Sequence, residues 1–192
     1  MLELSILNNM GEKSLENKKI AMIIAQQDFR DEELFIPRSI FLAEGGEVKI
    51  VSPKKEKAVG SYGGVIDVDL TLEELNVSDF DAIIFVGGSG AAKYIEDEKC
   101  HQIAQQAVGE NKVLGAICIA PTILARAGVL KDKKATVWSS NLDKSAIKIL
   151  KEEGADYQKD SVVVDGKIVT ANGPVAARKF AETIVRILLG EG

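Results

Sequence analysis

The segment Val113-Leu-Gly-Ala-Ile-Cys118-Ile-Ala-Pro121-Thr-Ile-Leu-Ala125 joins an apolar run directly to a helical pattern. The run over 113–117 is typical of a buried strand, and Pro121 is typical of the first turn of a helix. A strand that becomes a helix within two or three residues holds the residue between them in a strained conformation with its side chain projecting. Alanines lie two positions before and two after Cys118, where only small residues fit. We therefore predict a nucleophile elbow with cysteine as the turn residue.

Short apolar runs alternate with helical patterns along the rest of the chain, which indicates βα units and a mostly parallel sheet. The predicted strands lie at 20–25, 48–51, 82–86, 113–117 and 135–137, followed by a hairpin of 162–164 and 168–170. The predicted helices lie at about 31–45, 100–108, 142–153 and 177–188, with a short helix at 72–75 and an extended excursion over 60–69. The fold class is therefore α/β, a doubly wound, mostly parallel sheet with helices on both faces.

Length, charge and cysteine content limit the possible classes of protein. A chain of 192 residues suits one globular domain, and we predict a polar N-terminal tail over 1–17 followed by a single domain over 18–192. The chain has 29 acidic and 24 basic residues, and this acidic balance argues against nucleic acid as a partner. No apolar run approaches the roughly 18 residues that would span a membrane. Two cysteines make no disulfide framework, so we expect a cytoplasmic protein.

Cys118 is the strongest candidate for a reactive group. A thiol at this turn lies near the N-terminus of the following helix, whose dipole favours the thiolate, so we expect an unusually acidic thiol. The competing interpretation is a small buried hydrophobic residue, because free cysteines are among the most buried residue types. The three acids over 31–33 open the first helix and are ordinarily solvated. One of them could share a proton with the thiol if it points across the strand ends.

The glycine-rich run Gly87-Gly88-Ser89-Gly90 follows a predicted central strand. It only partly imitates a dinucleotide-binding loop, because Lys93 stands at the third glycine position, and no P-loop motif is present. Glycines after a strand also offer backbone N–H groups to an anion. Together with the N–H of Ile119, these amides would form an oxyanion hole beside Cys118.

Cys100-His101 imitates a catalytic pair, but adjacent residues on a helix do not face each other. Cys100 belongs to the apolar face of its helix, and we expect His101 to point outward. One histidine and two separated cysteines supply too few ligands for the usual zinc sites. We predict no metal and no cofactor.

Four short segments, in this order, resemble the ThiJ/PfpI superfamily, which includes the parkinsonism-linked deglycase-like protein and archaeal intracellular proteases. The resemblance covers nearly all of residues 19–189. Each segment alone is a weak signal, but their order is specific: Glu33-Leu-Phe-Ile-Pro37, Phe85-Val-Gly-Gly88, Ala116-Ile-Cys118-Ile-Ala-Pro121 and Ala171-Asn-Gly-Pro174.

The resemblance implies a flavodoxin-like fold and assigns roles to particular residues. The family's reactive cysteine corresponds to Cys118, and its buried, protonated glutamate corresponds to Glu33. The oxyanion and binding positions correspond to Gly87, Gly88, Ile119 and Pro174. Family members are commonly dimers or larger, so the resemblance also implies a homo-oligomer.

The chain departs from the protease-like members at two positions. Ile119 stands where they have a histidine directly after the nucleophile, and Trp138 stands where another family histidine is expected. Peptide hydrolysis then lacks an obvious general acid for the leaving amine. The expected function is a cysteine-dependent, stress-protective enzyme acting on small 2-oxoaldehydes or early glycation adducts, with Glu33 as proton shuttle. The alternatives are an intracellular cysteine peptidase and a redox-sensing stress protein that uses oxidation of Cys118.

Overall fold

The computed structural model describes residues 14–191. Its strands are β1 Lys19–Ile23, β2 Gln27–Phe29, β3 Glu47–Ser52, β4 Lys57–Gly60, β5 Val65–Asp67, β6 Leu70–Thr71, β7 Ala82–Phe85, β8 Val113–Ile117, β9 Lys134–Ala135, β10 Asp156–Tyr157, β11 Val162–Asp165 and β12 Ile168–Ala171. Its α-helices are α1 Asp31–Ala43, α2 Glu98–Gly109, α3 Pro121–Arg126, α4 Ser145–Glu152 and α5 Ala177–Leu188. Short 3₁₀ segments lie at Val77–Asp79, Ser89–Tyr94 and Pro174–Ala176. None of the helices within 14–191 is long and apolar enough to cross a membrane.

The central sheet has the order β11-β12-β8-β7-β1-β3-β6. Every neighbouring pair is parallel except the β11–β12 hairpin, which is antiparallel. From β1 the chain first extends the sheet through β3 and then returns to the other side through β7 and β8. The strand order therefore reverses beside β1, and ligands of doubly wound sheets bind in the crevice outside the carboxyl ends of the strands at such a point.

Helices cover both faces of this sheet, as predicted. Side chains alternate between the faces along each strand, so Ile83 and Phe85 of β7 pack into the core under α2, α3 and α4. Ile84, between them, packs into the second core under α1 and α5. The central strands are buried on both faces, which explains why their sequences are continuous apolar runs. This rigid double core fixes the strand ends that carry the glycines and Cys118.

Two predicted elements differ from the structure. Residues 72–74 of the predicted short helix form a turn, which Thr71 and Glu74 close by exchanging backbone-to-side-chain hydrogen bonds of 2.9 and 3.2 Å. A single turn does not repay the cost of nucleating a helix. The strand predicted at 135–137 is only β9, which pairs with β10 in a separate two-stranded sheet. The segment after β9 instead continues to Trp138, whose N–H donates to the carbonyl of Cys118 at 2.8 Å.

The first thirteen residues of the predicted N-terminal tail lie outside the described part of the chain. The remaining residues of that tail, 14–17, pack against the end of α1. Leu15 is fully buried, and its N–H donates to the carbonyl of Glu44 at 2.7 Å. One apolar side chain in a polar segment is thus sufficient to attach it to the core.

Candidate active site

Cys118 lies in the turn between β8 and α3, and its φ of 64° is a left-handed value that few residues other than glycine adopt. Its backbone is held on both sides. The N–H donates to the carbonyl of Ala171 at 2.9 Å, and the carbonyl accepts from the N–H of Trp138 at 2.8 Å. The predicted strand–turn–helix geometry of the elbow is confirmed. The side chain is half-buried rather than part of the sealed core.

Two of the three acids that open α1 have partners away from the thiol. Asp31 accepts the backbone N–H of Tyr62 at 2.8 Å and that of Gly64 at 2.7 Å. It therefore holds the loop between β4 and β5 against the start of the helix. Glu32 forms a partly exposed ion pair with Arg30 at 2.9 Å. Of the three carboxylates, the structure leaves only the third for the strand ends.

Glu33 is that third acid, and it is fully buried beside Cys118. A Cβ atom added at Gly87 would lie 2.5 Å from Oε2 of Glu33 and 2.6 Å from Cβ of Cys118, so only glycine leaves room for the two side chains to meet. Neither carboxylate oxygen completes a hydrogen bond of good geometry with another group among residues 14–191. A buried carboxyl group without such partners binds a proton readily.

Burial raises the pKa of the Glu33 carboxyl to about 7, against the opposing effects of the Cys118 thiol, Arg30 and the Gly87 amide. The direction of this shift agrees with the protonated glutamate that the resemblance implies. Burial, and then the negative charge of Glu33, raise the pKa of the Cys118 thiol to about 12. The expectation of an acidic thiol is therefore wrong, because desolvation and the neighbouring carboxylate outweigh the nearby amides.

Cys118 and Glu33 must be treated as a coupled pair, since each changes the titration of the other. Burial raises the pKa of both groups, and the carboxyl of Glu33 gives up its proton before the thiol does. Above neutral pH the pair therefore holds a single proton, as a thiol beside a carboxylate or as a thiolate beside a carboxylic acid. This is the protonation state required for a nucleophile with its own base.

The amides predicted as oxyanion donors lie beside the thiol. The N–H groups of Gly88 and Ile119 both act to lower the pKa of Cys118. Gly88 has a φ of 104°, and a Cβ there would lie 2.4 Å from the backbone nitrogen of Arg30. The position therefore requires glycine for both conformation and space. Whatever anion develops next to the sulfur would meet these two N–H groups.

A pocket of about 580 Å³ opens onto the pair. Sequence reasoning had identified Pro174 and several other wall residues but missed Arg30, Ser61, Ser89 and Ala92. Arg30 could have been found, because it lies between a strand end and α1. Ser61 reaches the site through tertiary contacts, which are the β2–β4 pairing and the hydrogen bonds of Asp31 to its loop. The wall is formed by Arg30, Glu33, Ser61, Gly88, Ser89, Ala92, Cys118, Ile119, Trp138 and Pro174.

Cys100 and His101 lie outside this pocket. Cys100 is fully buried in the core under α2, where burial raises its pKa. His101 is half-buried rather than turned fully outward, and its Nε2 lies 2.8 Å from the carbonyl of Ile95. No group of three or more His, Cys, Asp or Glu side chains within 14–191 is arranged to hold a metal ion.

Alkylation of Cys118 by iodoacetamide is expected to rise with a midpoint near pH 7 and then level off, because the deprotonated pair can transfer the thiol proton to Glu33. The Glu33→Gln variant should lose this step and react only at higher pH. Peptide mass spectrometry from about pH 5 to about pH 10 measures both profiles, with buried Cys100 as the slow internal control. A rate that follows hydroxide throughout, without a plateau, would contradict the coupling.

The fold and the site together define a doubly wound α/β protein that carries a cysteine elbow beside a buried glutamate at the carboxyl ends of its strands. The sequence model of the DJ-1/PfpI family matches residues 18–187. The chain belongs to the DJ-1/PfpI family, in agreement with the ThiJ/PfpI resemblance of its motifs.

Three relatives cover most of the chain. An uncharacterised protein of Methanocaldococcus jannaschii is 41% identical over 95% of this chain and 89% of its own length. The protein named deglycase PfpI from Pyrococcus furiosus is 32% identical over 87% of this chain and 98% of its own length. A Caenorhabditis elegans protein named glutathione-independent glyoxalase is 27% identical over 90% of both chains.

Solved structures agree with this assignment. A ThiJ/PfpI domain protein from Brachyspira murdochii superposes with a TM-score of 0.86 at 30% identity, over 91% of this chain and 98% of the other. DJ-1beta of Drosophila melanogaster superposes with a TM-score of 0.79 at 28% identity, over 90% and 91%. The fold is flavodoxin-like, as predicted.

Proposed function

We propose that this protein is a cysteine-dependent enzyme that acts on small 2-oxoaldehydes or early glycation adducts. The observation that carries the proposal is the contact of Cys118 with the buried carboxyl group of Glu33, next to the amides of Gly88 and Ile119. The relatives named deglycase and glutathione-independent glyoxalase support the same class of activity. Both cysteines are free thiols, in keeping with the reducing cytoplasm that we propose as its location. We also propose a homodimer or a larger homo-oligomer.

In the first step, Sγ of Cys118 adds to the aldehyde carbon of the substrate while the carboxylate of Glu33 takes the thiol proton. A carbon–sulfur bond forms, and the π electrons of the carbonyl move to oxygen. The N–H groups of Gly88 and Ile119 stabilise that oxyanion. Glu33 then returns the proton to the oxygen, which gives a hemithioacetal and a free carboxylate.

In the second step, Glu33 removes the hydrogen of the former aldehyde carbon as a proton and delivers it to the neighbouring ketone carbon. The hydroxyl proton of the hemithioacetal passes to the ketone oxygen. The aldehyde carbon is thereby oxidised to a thioester while the ketone carbon is reduced to an alcohol. The reaction is an internal redox exchange and consumes no external oxidant or reductant.

In the third step, water hydrolyses the thioester. The water oxygen bonds to the carbonyl carbon, the carbon–sulfur bond breaks, and the sulfur recovers a proton through Glu33. A 2-hydroxy acid leaves the pocket. Methylglyoxal would give lactate by this route.

Peptide hydrolysis is less well supported by the pocket. An amine leaving group needs a proton donor on the side of the nucleophile that faces the departing nitrogen. The side chains of Ile119 and Trp138 line the pocket at the two positions where protease-like members have histidine, and neither is a general acid at neutral pH. Among the described residues of the pocket wall, only Glu33 then remains as a general acid.

The test is lactate formation from methylglyoxal in the absence of glutathione and in the presence of a metal chelator. We expect lactate, and in D₂O we expect part of it to retain protium at the second carbon, because a shielded carboxyl group carries the hydrogen between the two carbons. Lactate formation no faster than in buffer would overturn the proposal. Selective oxidation of Cys118 by mild peroxide in such an inactive protein would instead support the redox-sensing alternative.

A further inference from the structure

Arg30 has no part in the reaction steps above, yet it lines the same pocket as Cys118. It is the one lysine or arginine among the described residues of the pocket wall. It lies directly before α1, three residues from Glu33. A cation in the wall of a reaction pocket restricts which substrates bind well there.

The guanidinium of Arg30 is held in one orientation. Its Nε and Nη2 donate to the two oxygens of Glu32 at 2.9 and 3.3 Å, and its central carbon lies 4.6 Å from the ring centroid of Tyr62. Asp31 in turn holds the loop that carries Tyr62, by accepting two backbone N–H groups. Among residues 14–191, the side-chain hydrogen bonds of Arg30 go to Glu32, so the N–H groups of Nη1 and the second N–H of Nη2 are left for a ligand. A preoriented planar fork is the usual device for binding carboxylate or phosphate.

The pocket is larger than the simplest 2-oxoaldehyde needs. Its volume of about 580 Å³ lies in the range of sites that hold drug-sized ligands, whereas methylglyoxal is a three-carbon molecule. The ring of Trp138 and the side chains of Ile119 and Pro174 give one part of the wall an apolar surface. The hydroxyl of Ser61 adds a polar group from the same loop as Tyr62.

We propose that the substrate carries an anionic group, a carboxylate or a phosphate, which Arg30 binds while the reacting carbonyl reaches Cys118. This inference rests on the proposed function for the identity of the reacting group. The side chain of Glu32 is 40% exposed, so solvent screens much of its charge and the guanidinium of Arg30 can still attract an anion. Arg30 is therefore a specificity-determining residue, and its charge also acts to lower the pKa of the Glu33 carboxyl.

Alkylation of Cys118 by two reagents of nearly the same shape tests the anion site without any turnover. Iodoacetate is anionic and iodoacetamide is neutral, and the ratio of their rates cancels the fraction of reactive thiolate. We expect Arg30→Gln to lower the ratio of iodoacetate to iodoacetamide rates by about tenfold. Glu32→Gln, which frees the guanidinium, should raise the same ratio. Unchanged ratios in both variants would overturn the proposal.

Lys93→Gln is the matched control, because Lys93 lies in the neighbouring 3₁₀ segment but lines a different cavity. It should leave the ratio unchanged if the effect comes from direct contact. An equal fall in Lys93→Gln and Arg30→Gln would mean that only the general field of the protein acts on the reagent, which would contradict a site at Arg30.

Two pairs of aldehydes then distinguish whether the anionic group of the substrate is a carboxylate or a phosphate. Phenylglyoxal is compared with its 4-carboxy derivative, and methylglyoxal with its phosphorylated counterpart hydroxypyruvaldehyde phosphate. We expect kcat/KM to favour one anionic member about tenfold. Arg30→Gln should remove that preference, measured as the ratio within each pair so that any change in the chemistry common to both members cancels. A selective iodoacetate effect without turnover of any aldehyde would reject the proposed function and keep the anion site. Turnover without any Arg30-dependent preference would support the proposed function and reject the anion site.

Discussion

Replacement of Cys118 by alanine is expected to lower lactate formation from methylglyoxal by at least about 10³-fold, to near the rate in buffer. The carbon–sulfur bond is required for every later step, and no other nucleophilic thiol lines the pocket among the described residues. The rate is measured as lactate released without glutathione. Cysteine and alanine differ little in size, so the variant should fold normally, and circular dichroism checks that it does.

Cys100→Ala is the matched control for this loss. Cys100 is buried in the opposite core on α2 and contributes nothing to the pocket wall. It should keep the wild-type rate to within a few fold. Equal rates in wild type and Cys118→Ala would remove Cys118 from the mechanism, and an equal loss in both variants would show a general effect on folding instead.

Replacement of Glu33 by glutamine is expected to lower kcat by about 10²- to 10⁴-fold, the usual contribution of a positioned acid–base group. Glutamine keeps nearly the same shape and can donate a hydrogen bond, but it cannot carry a proton between sulfur, oxygen and carbon. The Cys118 side chain should still be alkylated at high pH, so binding and nucleophile remain while turnover is lost. Retention of most of the wild-type kcat would contradict the role of Glu33 as shuttle.

The same substitution should stabilise the protein above pH 7. The pKa of Glu33 is raised from 4.5 to about 7 in the folded state, so the folded state binds its proton more tightly than the unfolded state. The resulting stabilisation is fully present below pH 4.5 and is lost as the pH rises through about 7, by about 3 kcal/mol. Glutamine has no charge to bury, so the free energy of unfolding of Glu33→Gln should exceed that of the wild type at about pH 8.

Urea unfolding at about pH 5 and about pH 8 measures this difference. The wild type should lose stability between these values relative to the variant, and the gap should be small at the lower pH. A gain in stability that accompanies a loss of activity is expected of a buried group kept for function. A variant that is less stable than the wild type at both pH values would mean that the carboxylate is paired in the folded state rather than strained by burial.

The local parts of the site could be predicted from neighbouring residues. The turn at Cys118 depends on an apolar strand, flanking alanines and a proline that all lie within a few positions. The strained conformation predicted there is confirmed by a φ of 64°. The importance of Glu33 came from the family resemblance, because three consecutive acids at a helix start look alike in sequence. In the structure their partners differ. Asp31 binds the loop at Tyr62, and Glu32 forms an ion pair with Arg30.

The sequence by itself determined the alternation of strands and helices, the doubly wound α/β class and the cysteine elbow, since each follows from periodicity or from residues adjacent along the chain. The titration of the Cys118–Glu33 pair depends on tertiary structure, because burial and the nearby charge come from elements far apart in sequence. The acidic thiol expected from the helix start alone was wrong for this reason. Ser61 reaches the pocket wall through the pairing of β2 with β4 and through the hydrogen bonds of Asp31 to its loop. A periodic pattern indicates which face of an element is buried. The desolvation of a carboxyl group and the charges near it depend on all the elements packed around it.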